Sequence, residues 1–363
     1  MSDSPLRFAI VGCGVIGPTH ARALAALPGE AALVACCDAV PERATKFSAE
    51  FGCAAVSFEA ILADPTIDAV SVCVPSGLHA QFGVAALRAG KHVIVEKPMD
   101  ISRAACDSLV AAQRETGKKL AVISQHRFDL ASILIKATLE KGELGTIVLA
   151  DARVPWFRTQ DYYDSGDWRG TWKLDGGGAL MNQGVHTADL LRWLCGPAET
   201  VYAQARTGAH ERIEVEDAIV ATVTFASGAI ATLMATTAAY PGFPVRLAVH
   251  GTKGSAVMEG DRLHTLAIEG QPTLGGEAAN AHALQVASGG TRAANATVSE
   301  SVSGGASDPA AIWGDAHRLQ LADFIRCCHT GETPVVDGME GRNAVDLVLA
   351  VYESARTGQV VRL

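Results

Sequence analysis

Three groups of residues in this sequence have the types and spacing to do chemistry. One is the stretch Gly176-Gly177-Gly178-Ala179-Leu180-Met181-Asn182-Gln183-Gly184-Val185-His186-Thr187-Ala188-Asp189. Read as a helix entered through three glycines, it sets Asn182, His186 and Asp189 at i, i+4 and i+7, on one face. An imidazole flanked by an amide and a carboxylate on a rigid element can move a proton near neutral pH. The alternative is a buried polar stripe that ties the helix to its neighbours. Another group is Gly12-Cys13-Gly14-Val15-Ile16-Gly17 with Asp38 downstream. The third is a pair of short loops, Pro75-Ser76-Gly77-Leu78-His79 and Glu96-Lys97-Pro98-Met99.

These groups need elements to position them. Arg7–Val11 reads as a buried strand, 18–27 as a helix, and Ala31–Cys37 as a second strand ending at Asp38. The G-x-G-x-x-G thus lies between strand and helix, the context that the dinucleotide fingerprint requires, with an acid about 20 residues further on. Gly12 permits the tight turn, Gly14 lets backbone approach a pyrophosphate, and Gly17 lets the helix pack on the strand. The helix N-terminus then offers N–H groups to the phosphates. Asp38 can accept from both adenosine ribose hydroxyls and repels a 2′-phosphate. Ala39 follows it, so NAD is expected over NADP, although Arg43 could reach a phosphate.

Further helices are expected over 42–51, 57–63, 78–89 and 102–116, and strands over 69–74, 92–95 and 119–123. Strands alternating with helices mean a doubly wound parallel sheet, an α/β Rossmann domain over 1–125. Ligands of such sheets sit at the strand carboxyl ends, where the loops at 75–79 and 96–99 leave.

From 126 to 363 the pattern changes to an α+β domain for substrate binding and oligomerisation. Its sheet is largely antiparallel and open, with strands near 143–154, 198–206, 216–225, 228–239, 244–250, 254–258 and 262–268. Only 6% of the chain is aromatic, yet six aromatic residues crowd between Trp156 and Trp172. Their faces suit the C–H faces of sugars, and Arg158, Arg169 and Lys173 could bind hydroxyls, a carboxylate or a phosphate. Residues 270–309 are rich in Gly, Ala, Ser and Thr without a strong period and read as an extended loop. Helices are expected at 313–329 and 340–356, packing back toward the first domain.

Composition narrows the classes. The chain of 363 residues is 48% hydrophobic and 19% charged, with a net charge of -9. That suits covered sheets, and no Lys/Arg cluster invites nucleic acid or an anionic membrane. No run reaches the ~18 apolar residues of a membrane span, and no signal peptide opens the chain. Nine scattered cysteines without framework spacing suggest reduced thiols in a cytoplasm.

Taken together, the glycine fingerprint, Asp38, Glu96-Lys97-Pro98 and the 177–189 stretch resemble the glucose–fructose oxidoreductase / inositol dehydrogenase / rhizopine-catabolism (Gfo/Idh/MocA) family over essentially the full length. The resemblance implies that Lys97 lies between nicotinamide and substrate and stabilises negative charge on the reacting oxygen. It also implies a cis Pro98 and a dimer or tetramer contact through the open sheet. With His186 as general base or acid, the expected activity is hydride transfer between NAD and a CH–OH carbon of a sugar, cyclitol or modified sugar. The family's frequent aspartate four residues before the histidine is here Asn182, which cannot act as a base; Asn versions occur in members acting on modified or nucleotide-linked sugars. The candidate catalytic residues are Lys97 and His186. Candidate cofactor contacts are Gly12, Gly14, Val15, Ile16, Gly17, Asp38, Pro75, Ser76, His79, Glu96 and Lys97. Candidate substrate contacts are Lys97, Trp168, Arg169, Trp172, Asn182 and His186. No metal is expected. The alternative is a ligand sensor of the same fold, which would not need Lys97 and His186.

Overall fold

Buried apolar runs separated by capped helices build the first sheet. The computed structural model describes residues 4–288 and 315–363. Strands β1 (Leu6–Val11), β2 (Ala31–Cys37), β3 (Ala54–Ala55), β4 (Ala69–Val72), β5 (His92–Val95) and β6 (Leu120–Val122) pair in the order β3-β2-β1-β4-β5-β6. Every pairing in this sheet is parallel. This is the doubly wound order whose switch point lies between β1 and β4. The connecting helices are α1 (Gly17–Ala25), α2 (Pro41–Phe51), α3 (Phe58–Ala63), α4 (His79–Arg88) and α5 (Arg103–Thr116). Their ends follow local chemistry. Ser57 and Ser102 accept from the backbone N–H three residues on, and Gly52 closes α2 in the left-handed region, as N-caps and C-terminal glycines do.

The chain divides into two compact units. One comprises the described residues of Met1–Ser124, Lys173–Gly176 and Trp313–Val345; the other those of Gln125–Trp172, Gly177–Ile312 and Asp346–Leu363. In the first unit, Phe324 of a late helix (Asp315–Thr330) packs against Phe8 of β1, with ring centroids 6.2 Å apart.

The second unit holds α6 (Leu130–Glu140), β7 (Ile147–Pro155), α7 (Gln160–Asp164), α8 (Val185–Cys195) and strands β8 (Ala198–Arg206), β9 (Ala218–Phe225), β10 (Ile230–Thr236), β11 (Arg246–Gly251), β12 (Gly254–Glu259), β13 (Arg262–Ile268) and β14 (Leu274–Gly275). A helix, α9 (Gly276–Ser288), follows and packs on α6 and β13. The late helices are α10 (Asp315–Thr330) and α11 (Gly338–Thr357), and β15 (Val361–Arg362) ends the chain. The nine strands run β14-β13-β12-β11-β7-β10-β9-β8-β15. All neighbours are antiparallel except the parallel pair β7–β10. Alternation on β9 and β10 buries one face. The other face carries exposed Leu149, Tyr202, Val220 and Ile230.

Two expectations are corrected here. Part of the 270–309 stretch is helical, namely α9; its alanines are good helix formers and tertiary packing supplies the missing period. Residues 289–314, which include the start expected for the next helix, lie outside the described residues. The regular helix expected through Asn182 is instead a single wide π-type turn, Ala179–Gly184, that feeds α8.

Candidate active site

In the first unit the glycine turn has the shape that its sequence requires. Gly12 has φ 102°, and a Cβ there would stand 2.5 Å from Cys73 O. A Cβ on Gly17 would stand 2.5 Å from Gly12 O, so the close helix–strand approach excludes any larger residue. At Gly14 a Cβ would meet nothing within 4 Å, Val15 is 69% exposed, and no side chain caps α1 at Ile16. The cradle is therefore open on the side where N–H groups meet an anion. Asp38 is fixed by two backbone donors, Cys13 N and Val40 N, each at 2.8 Å. One of these comes from the glycine turn itself. These residues fit the dinucleotide that the fingerprint implies.

The two loops at the strand ends are locked together within this unit. His79 is buried, with Nδ1 2.7 Å from Pro98 O and Nε2 2.9 Å from Val74 O. Its ring thus braces the loop that holds Pro75 and Ser76 against the loop that holds Pro98. It does not present a ring nitrogen to a nicotinamide ribose. Burial lowers its pKa. Ser76 is also buried, and the Lys97–Pro98 peptide is cis.

Glu96 is the buried anchor of Lys97. Its Oε2 accepts from Lys97 N at 3.0 Å, and its Oε1 lies 2.8 Å from His20 Nε2. Ser71 Oγ is 2.7 Å from the other nitrogen of His20. His317 Nε2 lies 3.9 Å from the same Glu96 oxygen. Burial alone would push Glu96 up and His20 down; Cys73 and then Glu96 raise His20, and His20, His317 and Lys97 lower Glu96, so both move the opposite way. No motif in the sequence singles out His20 or His317. Both are buried against Glu96. The available signal was the position of His20, three residues into the helix that the glycine turn starts.

In the second unit the entry to α8 is built on a residue that the motifs did not show. Gly178 N and Leu180 N donate to the two carboxylate oxygens of Glu216 at 2.9 and 2.8 Å, and Ala179 N donates to Glu216 O at 3.0 Å. Three successive N–H groups of the helix entry thus end on one residue. A Cβ on Gly178 would lie 1.8 Å from Glu216 O. Tyr352 OH donates to Glu216 Oε1 at 2.9 Å and accepts from Met181 N at 3.0 Å. Burial pushes the Glu216 carboxyl up to about 7, against the pull of its donors. The sequence pattern gives no signal for it: Glu216 lies two residues before β9, in step with the strand's exposed Val220 and Thr222.

This carboxyl makes a prediction for stability. Its ordinary value is 4.5 and its folded value about 7. Between them the folded protein holds a proton that the unfolded chain has lost. This contribution therefore favours folding at low pH and is lost as pH rises through about 7. Glu216→Gln turns one acceptor oxygen into a donor that faces another donor. Urea unfolding should show it destabilised by about 1–3 kcal/mol, with a flatter dependence on pH between 5 and 8. A variant as stable as the parent would refute the role of Glu216.

Of the candidate substrate residues in this unit, Asn182, Arg169 and Trp168 belong to one connected group, and the edge-on ring contacts of Trp172 and His186 run elsewhere. Asn182 Oδ1 accepts from Gln183 Nε2 at 3.0 Å. Gln183 Nε2 also reaches Tyr162 OH at 2.8 Å, and Gln183 Oε1 accepts from Arg158 at 2.9 Å. Arg169 lies over Tyr162 and Trp168, 4.2 and 4.6 Å from their centroids. Trp172 stands elsewhere: its indole donates to Glu214 O, and its ring meets Tyr352 edge-on. His186 is half-buried and meets His126 edge-on. Asp189 is bidentate to Arg127, at 2.7 and 2.5 Å, both side chains being buried. It ties α8 to the turn Gln125–Phe128.

Comparison with known proteins adds independent findings. Residues 6–124 match the model of the oxidoreductase family with an NAD-binding Rossmann fold. Residues 133–257 match the GFO/IDH/MocA C-terminal domain. An inositol 2-dehydrogenase of Rhizobium meliloti is 30% identical over 263 residues, spanning 71% of this chain and 76% of that protein. A 1,5-anhydro-D-fructose reductase of Ensifer adhaerens is 32% identical over 263 residues, 69% of this chain and 75% of that one. The WlbA dehydrogenase of Bordetella pertussis, solved with NADH and UDP-GlcNAcA, superposes with a TM-score of 0.86 at 33% identity, covering 100% of this chain and 99% of that one.

Proposed function

We propose that this chain, which belongs to the GFO/IDH/MocA family of oxidoreductases with an NAD-binding Rossmann fold, transfers a hydride between NAD and a secondary alcohol or ketone carbon of a sugar, cyclitol or modified sugar. The observation that carries the reading is Lys97 at the end of β5, its backbone held by a buried Glu96. When bound, NAD supplies the acceptor or donor of the hydride. Lys97 hydrogen-bonds the reacting oxygen and stabilises negative charge on it. His186 exchanges the hydroxyl proton. Asn182, its amide oriented by Gln183, donates to a substrate oxygen. Asp38 holds the ribose and favours NAD over NADP. A sensor of the same fold has no use for the Lys97 and His186 pair.

Within this class a nucleotide-linked or acidic sugar has specific support. Arg169 over Tyr162 and Trp168 joins a cation to two aromatic faces. The Bordetella pertussis relative binds UDP-GlcNAcA, and Asn182 stands where an aspartate is frequent. Partners other than the substrate are further copies of the chain, meeting through the exposed apolar face at Leu149, Tyr202, Val220 and Ile230; nucleic acid is not among them. The chain works in the cytoplasm, with its nine cysteines free. Among the described residues no helix is long and apolar enough to cross a membrane.

The test is a panel of free sugars, cyclitols and nucleotide-linked sugars, read by absorbance of reduced cofactor with NAD and with NADP. Mass spectrometry for copurified cofactor comes first. Reduction of NAD by a secondary alcohol of the panel, faster than of NADP, is the expected result. Bound NAD that no member of the panel reduces, together with NADH that no ketone counterpart oxidises, would favour the sensor.

A further inference from the structure

His126 sits in the turn Gln125–Phe128, just before α6, and is conspicuous for its neighbours. Its ring meets that of His186 edge to face, with centroids 5.1 Å and planes 84° apart. Behind it, His126 Nδ1 lies 2.7 Å from Asp129 Oδ2. The His126 side chain is 40% exposed, whereas that of Asp129 is 11% exposed. A carboxylate, an imidazole, a second imidazole and solvent access are therefore contiguous inside one unit.

A second observation concerns the preceding residue. Gln125 is buried, its Nε2 is 3.5 Å from His126 Nε2, and its Oε1 has no hydrogen-bond partner. Exchanging the two ends of that amide, a matter of assignment, sets the unpartnered oxygen beside His126 Nε2. A protonated His126 then has an acceptor on each side, Asp129 and Gln125. The orphaned oxygen is explained by a proton that the neutral ring lacks.

We propose that His126, braced by Asp129, is the proton exit of the site, taking the proton that His186 removes from the substrate hydroxyl and releasing it to solvent. The proposal rests on the role given to His186 above. In the oxidation, the C–H electron pair leaves as hydride to NAD, and the hydroxyl proton moves to a nitrogen of His186. It passes to a nitrogen of His126, and from there to water. Asp129 keeps its place as acceptor of the Nδ1 proton and stabilises the imidazolium without itself being protonated; the reduction runs the same steps backward. Other charges act here too: Asp261 acts on Asp129, and the guanidinium of Arg127 is matched by Asp189. His126 acts through His186 and is a positioning and relay residue.

Two measurements on the full-length, NAD-loaded protein test this. In NMR titrations, His126 and His186 should show two coupled steps, and His126→Gln should leave His186 a single step. Asp129→Asn, a milder change, should move the His126 step to lower pH. In turnover, His126→Gln should lower kcat about tenfold with KM unchanged. Added imidazole should restore that loss and leave the parent unaffected. The relay is overturned if His186 titrates identically with and without His126, or if the lost turnover ignores buffer. The titrations need no substrate, so failure of the relay and failure of the sugar-dehydrogenase reading are read separately.

Discussion

Lys97→Ala should lower kcat about a thousandfold, the scale of losing one preorganised charge at a developing oxyanion, while NAD binding and the unfolding midpoint stay where they were. The split follows from which part of the residue is structural. The backbone of Lys97 is held by Glu96 Oε2 and by the closed pairing of Glu96 with His20. Neither hydrogen bond uses the Lys97 side chain, so both remain available after its removal. Proposed for the ammonium is an interaction that strengthens as negative charge forms on oxygen, and such interactions appear in kcat. Lys97→Arg is not a rescue, because a planar fork cannot replace a compact point charge in the same space. Glu96→Gln should fall between parent and Lys97→Ala, since it keeps the shape and loses the pairing with His20. Turnover of Lys97→Ala within a few-fold of the parent would remove the lysine from the chemistry.

Local and tertiary determinants explain what the sequence showed. The glycine turn is legible because its demands are mostly local: Gly12 needs a positive φ and Gly17 packs against Gly12 O, although the close approach of Gly12 to Cys73 O comes from the end of the neighbouring strand β4. Asp38 is legible because one helix and one strand separate it from that turn, the spacing that the fingerprint sets. The entry to α8 is not, because the π-type turn depends on Glu216 and Tyr352, which arrive from distant strands and helices. Three adjacent glycines announce that the backbone does something unusual, but not which carboxylate receives it. The same holds for Asp189, whose spacing from His186 suggested a catalytic partner as well as it suggested the buried tie to Arg127 that the structure contains. His79 illustrates a third case. A histidine at a strand's carboxyl end is a fair candidate for cofactor contact, and only the fold reveals that both of its nitrogens face backbone carbonyls.

Arg127→Met should cost about 3–5 kcal/mol, the range for removing one partner of a buried ion pair. Arg127 is 2% exposed and bidentate to Asp189, and its guanidinium also lies over Trp193 at 5.2 Å. Its loss strands a buried carboxylate without the cation that matches it. Asp189→Leu strands the guanidinium in turn. The double variant Arg127→Met/Asp189→Leu removes both charges and fills similar volume with apolar groups, so it should recover most of the stability, as such replacements commonly do. The pair joins the turn that holds His126 to the helix that holds His186, so its function extends beyond stability. A double variant that folds well but lets that turn move should disturb the coupled titration of the two histidines more than it disturbs the unfolding midpoint. Urea unfolding of the four proteins gives the coupling energy directly. Strictly additive single effects would show that the ion pair contributes no coupling, and that the turn is held to α8 by packing on Trp193 instead.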